Sequence, residues 1–145
     1  MTENSQSASF PLAQAPTALV VDDDELTQEL LREMLHDLGC EAVHTALDGR
    51  QALKMLSECR TLPSLLLCDI YMPEMDGFEF LERLTALGFA GGLVLMTGGD
   101  PAMLSVAKDI AASKRMNVVG TFLKPVSVQQ LATVLAAIPA VTEAR

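Results

Sequence analysis

The sequence predicts an α/β fold, a doubly wound parallel sheet of five strands with helices on both faces. Strand and helix patterns alternate five times along the 145 residues, and such alternation is typical of a parallel sheet. Three of the predicted strands are continuous apolar runs, as expected of strands that helices cover on both faces. Side chains able to bind a cation or a phosphate stand at strand ends, where such sheets bind their ligands.

The predicted strands alternate with helices that have start and stop signals. The strands cover residues 18–22, 42–46, 65–69, 93–96 and 118–123. A residue that can cap a helix follows each of them, in order Asp24, Asp48, Asp76, Asp100 and Ser127. Capping boxes are completed by Gln51, Glu79 and Gln130, and the favourable first helical position after Asp100 is taken by Pro101. The helices are predicted to end near Gly39, Glu58, Gly88, Arg115 and Pro139.

Apolar residues at helical spacing predict which faces the helices bury. In the first helix the predicted stripe is Leu26, Leu30, Met34, Leu35 and Leu38. In the last helix it is Val128, Leu131, Val134, Leu135 and Ile138. Both stripes are expected to pack against the sheet.

Composition limits the classes of function. Half of the residues are hydrophobic, enough for a substantial core, and a net charge of −9 argues against direct nucleic-acid binding. The three cysteines lack metal-ligand spacing and are expected to be reduced thiols of a cytoplasmic protein. No stretch approaches the roughly 20 apolar residues of a membrane span, so no membrane partner is expected. The expected organisation is a flexible N-terminal tail at 1–16, one domain at 17–138 and a C-terminal tail at 139–145.

Charged and hydroxyl side chains end four of the predicted strands. Asp22 and Asp23 end the first, Asp69 the third, Thr97 the fourth and Lys124 the fifth. A charge at the end of a buried strand is costly unless something there uses it. In a sheet of order 2-1-3-4-5 the switch point lies between the first and third strands, so their carboxylates are expected to meet.

These residue types suit a cation and a phosphoryl group. Carboxylates that meet in one crevice repel each other, and Mg²⁺ removes that conflict because it prefers oxygen ligands. A carboxylate can also accept a phosphoryl group and become an aspartyl phosphate. The Lys124 ammonium and the Thr97 hydroxyl can then hold phosphoryl oxygens. Each residue alone has an ordinary structural explanation, but the set predicts such a site.

Other phosphate-handling classes lack their motifs here. The sequence contains no G-x-x-x-x-G-K-[ST], no G-x-G-x-x-G and no Ser-centred G-x-S-x-G pattern, and its two histidines are too scattered for a metal site. A magnesium-dependent phosphatase of the haloacid dehalogenase type is an alternative, because Asp22 and Asp24 form an Asp-x-Asp after an apolar strand. That alternative uses Asp22 as the nucleophile, although Leu26 stands where that family usually has Thr or Val.

Taken together, the motifs resemble the receiver domain of two-component response regulators. The matching stretches are 20–23, 69–77, 96–98 and 124–125. The resemblance implies a flavodoxin-like receiver architecture with strand order 2-1-3-4-5. It also implies a signalling protein rather than an enzyme, with only slow self-phosphorylation and self-dephosphorylation.

For the phosphoryl group, the resemblance implies that Asp69 is the acceptor and that a histidine kinase or a phosphotransfer protein is the donor. Thr97 and Lys124 are then the residues that contact the phosphoryl group. The bond between Lys124 and Pro125 is expected to be cis, as in relatives.

For the metal, the resemblance implies a Mg²⁺ ion bound directly by Asp23, Asp69 and the backbone carbonyl of Tyr71. Asp22 is expected to assist through a water molecule. Mg²⁺ is the only cofactor that the resemblance implies.

The sequence departs from the family in two places. The family often has an aromatic residue three positions before the lysine, where this chain has Thr121, and the neighbouring Phe122 is expected to point to the opposite face of the strand. The stretch between Thr97 and Lys124 is also a few residues longer than usual, with the extension expected around 113–117.

The resemblance implies an output that the sequence does not name. Phosphorylation is expected to reposition the face formed by the fourth helix, the fifth strand and the fifth helix. The chain then acts by docking, or belongs to a longer regulator with an output domain, and residues 117–125 are similar to receivers attached to cyclic-di-GMP phosphodiesterase domains. The sequence leaves open whether the chain forms a homodimer. A receiver-like interaction module that is never phosphorylated is a further alternative.

Overall fold

A computed structural model of the protein describes residues 13–71, 77–138 and 141–142. The strands of its main sheet are β1 Thr17–Val21, β2 Ala42–Ala46, β3 Leu65–Asp69, β4 Gly92–Thr97 and β5 Asn117–Leu123. The helices are α1 Glu25–Asp37, α2 Gly49–Glu58, α3 Gly77–Leu87, α4 Pro101–Ser113 and α5 Val128–Ala137. No helix among the described residues has the length and apolar character needed to cross a membrane.

The five main strands are parallel and lie in the order β2-β1-β3-β4-β5, which confirms the predicted fold and strand order. A second sheet was not predicted: Ala13–Gln14 pairs antiparallel with Val141–Thr142. This pairing joins a segment before β1 to one after α5. Strands of two residues have no periodicity that a sequence pattern could reveal.

Side chains of the central strands alternate between two cores. Leu19 and Val21 of β1 belong to a core with buried residues of α2, α3 and α4, whereas Ala18 and Val20 belong to a core with α1 and α5. In β3 and β4 all residues are buried, because helices cover both faces of these strands. The predicted continuous apolar runs are therefore confirmed as the centre of the sheet.

Most of the predicted helix caps are present. Asp24, Asp48 and Asp100 accept hydrogen bonds from backbone N–H groups of the first helical turns, and Ser127 forms a full capping box with Gln130. Helix α1 ends before Gly39, whose φ of 109° suits glycine. Asp76, the predicted cap of α3, and Pro139, the predicted end of α5, lie outside the described residues.

The predicted apolar stripe of α1 was partly wrong. Leu26 and Leu30 are exposed, and the buried residues are Gln28, Leu31 and Leu35. The buried face of the helix is therefore rotated from the prediction, and its first turn places an amide side chain inward instead of a leucine.

Strand β5 has an irregular register with β4, and its neighbouring residues Thr121 and Phe122 point to different faces. Leu93 of β4 pairs with Val118, but the next residue of β4 pairs with Gly120, so Val119 is an additional residue. Phe122 packs against the core under α1 and α5, as the alternation of side chains predicts. Its ring covers Gly120, where an added Cβ would lie 2.7 Å from the ring. The ring of Phe122 is therefore packed on the face of β5 opposite to Thr121.

Candidate functional site

Two buried carboxylates meet where β1 and β3 end. Asp22 follows β1 directly and is 0% exposed, and Asp69 is the last residue of β3 and 4% exposed. The two strands are neighbours in parallel register, so their carboxyl ends open on the same crevice. The sequence-based placement of these acids at the switch point is consistent with this geometry.

Lys124 joins the two carboxylates. Its Nζ donates to Asp22 Oδ2 at 2.7 Å and to Asp69 Oδ2 at 2.9 Å, although β5 is two strands away from β3. The lysine backbone N–H donates to the Thr97 carbonyl at 2.9 Å, which fixes the start of the segment after β5. The bond from Lys124 to Pro125 is cis, as the resemblance implied.

Burial and the ion pairs have opposing effects on the pKa values of Asp22 and Lys124. Burial raises the pKa of Asp22 above its usual value, although the hydrogen bond from Lys124 lowers it. Burial alone would lower the pKa of Lys124, but its hydrogen bonds to Asp22 and Asp69 raise it above its usual value. Lys124 is therefore a stable ammonium at neutral pH.

The remaining oxygen of each buried carboxylate accepts a backbone N–H. Asp22 Oδ1 accepts from Asp24 N at 2.8 Å, and Asp69 Oδ1 accepts from Tyr71 N at 2.9 Å. Both carboxylates are thus oriented by the turns that follow their strands. Tyr71 is 78% exposed, although its backbone N–H lies against Asp69.

Asp23 completes an acidic cluster. Asp22, Asp23 and Asp69 each offer a carboxylate oxygen within 4.8 Å of the others, and Asp23 is the exposed member. Carboxylate oxygens are the ligands that Mg²⁺ prefers, and an exposed position leaves room for the waters that it keeps. The donor set therefore fits Mg²⁺.

Thr97 is buried at the end of β4, next to β3. Its hydroxyl accepts a hydrogen bond from Gly99 N–H at 3.0 Å, which turns the chain sharply after the strand. Gly98 leaves open space beside this turn, because an added Cβ would be 3.8 Å from Lys124 Cε. The site thus has the Thr97 hydroxyl at the end of β4 and the Lys124 ammonium directly after β5.

A close backbone contact shapes the side of the crevice near α3. After Asp69 the chain leaves β3 and returns at Gly77, whose N–H donates to the Ile70 carbonyl at 3.2 Å. An added Cβ on Gly77 would lie 2.7 Å from Ile70 Cα, so only glycine fits without movement. Residues 72–76, part of the motif that predicted this turn, lie outside the described residues.

Sequence reasoning missed Gln28. This residue is buried on α1, and its Nε2 donates to the carbonyls of Asp22 and Ala46 at 2.7 and 3.0 Å. The available signal was a glutamine three and seven residues before Leu31 and Leu35, at the spacing of a buried face.

Comparison with known families identifies the domain. The sequence model of the response regulator receiver domain matches residues 18–136. A probable chemotaxis protein CheY of Rhizobium etli is 28% identical over 130 residues, which cover 88% of this chain and 95% of that protein.

Two further relatives match over a smaller share of their length. The Regulator of RpoS of Escherichia coli strain K12 is 32% identical over 108 residues, which cover 74% of this chain and 30% of that protein. An uncharacterized 14.6 kDa protein of Leptolyngbya boryana is 51% identical over 69 residues, which cover 48% of this chain and 50% of that protein. The matched stretches thus span half or less of these two relatives.

Solved structures of similar proteins share the fold. A response regulator from Colwellia psychrerythraea has a TM-score of 0.70 and 28% identity, with 86% of this chain and 96% of that chain covered. The chemotaxis protein CheY4 of Vibrio cholerae has a TM-score of 0.69 and 26% identity, with 87% and 100% covered.

Proposed function

Because the chain belongs to the family of response regulator receiver domains, a family of signalling domains, we propose that Asp69 is its phosphoryl acceptor. The observation that carries the proposal is the crevice itself, in which Lys124 Nζ lies 2.9 Å from Asp69 Oδ2 and two further carboxylates lie nearby. Family membership makes this proposal stronger than the haloacid dehalogenase alternative with Asp22 as nucleophile.

In the proposed reaction a carboxylate oxygen of Asp69 attacks the phosphorus of a phosphorylated histidine. A new P–O bond forms, the P–N bond breaks, and the leaving imidazole keeps the electron pair of that bond. Lys124 is already within hydrogen-bond distance of Asp69, so its ammonium can stabilise negative charge on the transferred group. Thr97 is proposed to donate its hydroxyl hydrogen to another phosphoryl oxygen.

We propose that Asp23, Asp69 and the Tyr71 carbonyl would hold Mg²⁺ directly, with Asp22 acting through water. When bound, the ion would neutralise charge on the phosphoryl oxygens. Asp22 is the fully buried acid and contacts Lys124, whereas Asp23 is exposed, which supports the division of roles between them.

The test is the intact mass of the protein after incubation with acetyl phosphate and Mg²⁺. We expect one added phosphoryl group on the wild type and on Asp109→Asn, an exposed aspartate on α4, and none on Asp69→Asn or without Mg²⁺. An adduct that persists in Asp69→Asn but is lost in Asp22→Asn would favour the phosphatase-like alternative. A wild type without any adduct, which also fails to bind beryllofluoride, would favour the interaction module that is never phosphorylated.

The proposed partners are a histidine kinase or phosphotransfer protein as donor and an output protein or domain as receiver of the signal.

The proposed signalling domain covers residues 17–138, with flanking segments at 1–16 and 139–145. A cytoplasmic location is proposed because the three cysteines are all free thiols.

We propose that phosphorylation is read out through the face formed by α4, β5 and α5. The hydrogen bond from Lys124 N–H to the Thr97 carbonyl ties the end of β4 to the end of β5, so a movement of Lys124 reaches both elements. Because Thr121 replaces an aromatic residue and Phe122 is packed on the other core, the readout would not use a rotating ring at this position. Backbone NMR shifts of α4, β5 and α5 that are the same with and without beryllofluoride would refute this readout.

A further inference from the structure

The side chain of Gln28 ties helix α1 to the ends of two strands beside the acidic cluster. It is 8% exposed, and its Nε2 donates to the Asp22 carbonyl at 2.7 Å and to the Ala46 carbonyl at 3.0 Å. The Ala46 carbonyl also accepts from Asp22 N–H at 3.0 Å. One amide group therefore holds together α1, the residue after β1 and the last residue of β2.

From this geometry we infer that Gln28 is a positioning residue for the metal-binding acids, and that it sets the Mg²⁺ affinity of the crevice. The inference rests on the function proposed above, in which Asp23 binds Mg²⁺ directly and Asp22 acts through water. Gln28 itself contacts backbone atoms and would not touch the ion.

The physical basis is the peptide group between Asp22 and Asp23. A peptide group is planar, so a hydrogen bond that fixes the Asp22 carbonyl also fixes the nitrogen of Asp23 and the direction in which Asp23 leaves the strand. Asp22 is already held at its N–H by Ala46 and at its carboxylate by Asp24 N–H and Lys124. Gln28 fixes the Asp22 carbonyl. Because this carbonyl shares a peptide group with the Asp23 nitrogen, the hydrogen bond also orients Asp23.

A purely structural explanation of Gln28 is weaker, because its position favours an apolar residue. The other buried residues of α1 are Leu31 and Leu35, and a buried amide is costly unless it forms hydrogen bonds. Here both bonds go to backbone carbonyls at the carboxyl ends of β1 and β2. With an apolar residue in place of Gln28, the Asp22 peptide group would lose the partner that holds its orientation.

The test is a calorimetric titration of the full chain with Mg²⁺. Gln28→Met keeps the length of the side chain and removes its donors, and we expect it to weaken Mg²⁺ binding by about tenfold, as loss of a residue behind a metal ligand commonly does. Two matched controls should bind like the wild type: Gln129→Met on the exposed face of α5, and Val134→Ala, which disturbs the core under α1 and α5.

A second readout separates positioning from general destabilisation. With acetyl phosphate, Gln28→Met should need about tenfold more Mg²⁺ for half-maximal phosphorylation, whereas its rate at saturating Mg²⁺ should stay within about twofold of wild type. If Gln28→Met does not fold, Gln28→Asn serves instead, because its shorter amide cannot reach both carbonyls, and the same weakening is expected.

Equal Mg²⁺ affinity in the wild type and the Gln28 variant would overturn this inference and leave the proposed function intact. Equal weakening in Val134→Ala would also overturn it, because the loss would then follow from stability alone. A wild type that binds no Mg²⁺ would overturn both.

Discussion

At the scale of single residues, neighbouring aspartates have very different environments. Asp22 is fully buried between Lys124 and the Asp24 N–H, whereas Asp23 is exposed beside them. Their spacing after an apolar strand predicted that both belong to one site. It could not predict which is buried, because that depends on Lys124, which is 102 positions away in the sequence.

The pH dependence of stability should reveal the cost of burying Asp22. Burial raises its pKa in the folded protein, so the folded state binds this proton more tightly than the unfolded state does. Ionised Asp22 therefore lowers stability at neutral pH, and this cost declines as the pH falls toward the folded-state pKa. Without Mg²⁺, we expect the wild type to gain stability relative to Asp22→Asn as the pH falls from neutral through the raised folded-state pKa of Asp22.

Urea unfolding at a series of pH values measures this difference. Asp109→Asn, on the exposed surface of α4, is the control and should run parallel to the wild type. A difference between Asp22→Asn and wild type that stays constant with pH would contradict the expectation.

The three free cysteines should differ in reactivity. Burial raises the pKa of the Cys40 and Cys68 thiols, and the negative charges of Asp69 and Asp22 add to the effect at Cys68. Cys59 is exposed at the end of α2. A thiol reagent such as Ellman's reagent should therefore modify Cys59 alone in the native protein and all three cysteines in denaturant. Native reaction that persists in Cys59→Ser would show that a buried thiol is accessible.

At the scale of elements, turns and helix starts were easier to predict than the faces of helices. The caps at Asp24, Asp48 and Ser127 are local and follow from residues a few positions apart. The buried face of α1 depends on its contacts with the strand ends. Gln28 donates to two backbone carbonyls there, whereas Leu30 is exposed. Apolar periodicity alone cannot identify a buried amide.

The same limit applies to β5. The sequence indicated that Thr121 and Phe122 point to opposite faces, and the pairing with β4 confirms this. The additional residue at Val119 was not predicted, because a bulge depends on the register with a partner strand.

The start of α3 offers a test of backbone packing. Gly77→Ala should lower the free energy of unfolding by about 1–3 kcal/mol, because the new Cβ would overlap the backbone of Ile70. Gly98→Ala is the matched control, because its Cβ would meet only the end of the Lys124 side chain at 3.8 Å. Equal stability of the two variants in chemical denaturation would contradict the tight contact at Gly77.

At the scale of the whole molecule, the crevice gathers charge from three strands. Three carboxylates lie together and Lys124 contacts two of them, so the site carries a net negative charge when the acids are ionised. Strand order and strand ends could be predicted from the alternating pattern and the family resemblance. The two contacts of Lys124 depend on the packing of the folded sheet.

Mg²⁺ should therefore stabilise the folded protein. A ligand that binds only the folded state, present at a free concentration of about 100 times its dissociation constant, adds about 2.7 kcal/mol to the free energy of unfolding. We expect thermal denaturation to shift upward with Mg²⁺, to reverse with a chelator, and to shift much less in Asp23→Asn. Asp109→Asn should respond like the wild type, and an unchanged midpoint in the wild type would argue against a magnesium site.

The small sheet of Ala13–Gln14 and Val141–Thr142 has a practical consequence. It brings the first and last described segments of the chain side by side, before β1 and after α5. A short linker could therefore connect the two segments, and new termini could be opened in a surface turn such as 59–61. Such a circular permutant should keep the acidic crevice intact, because the crevice lies at the carboxyl ends of β1 and β3.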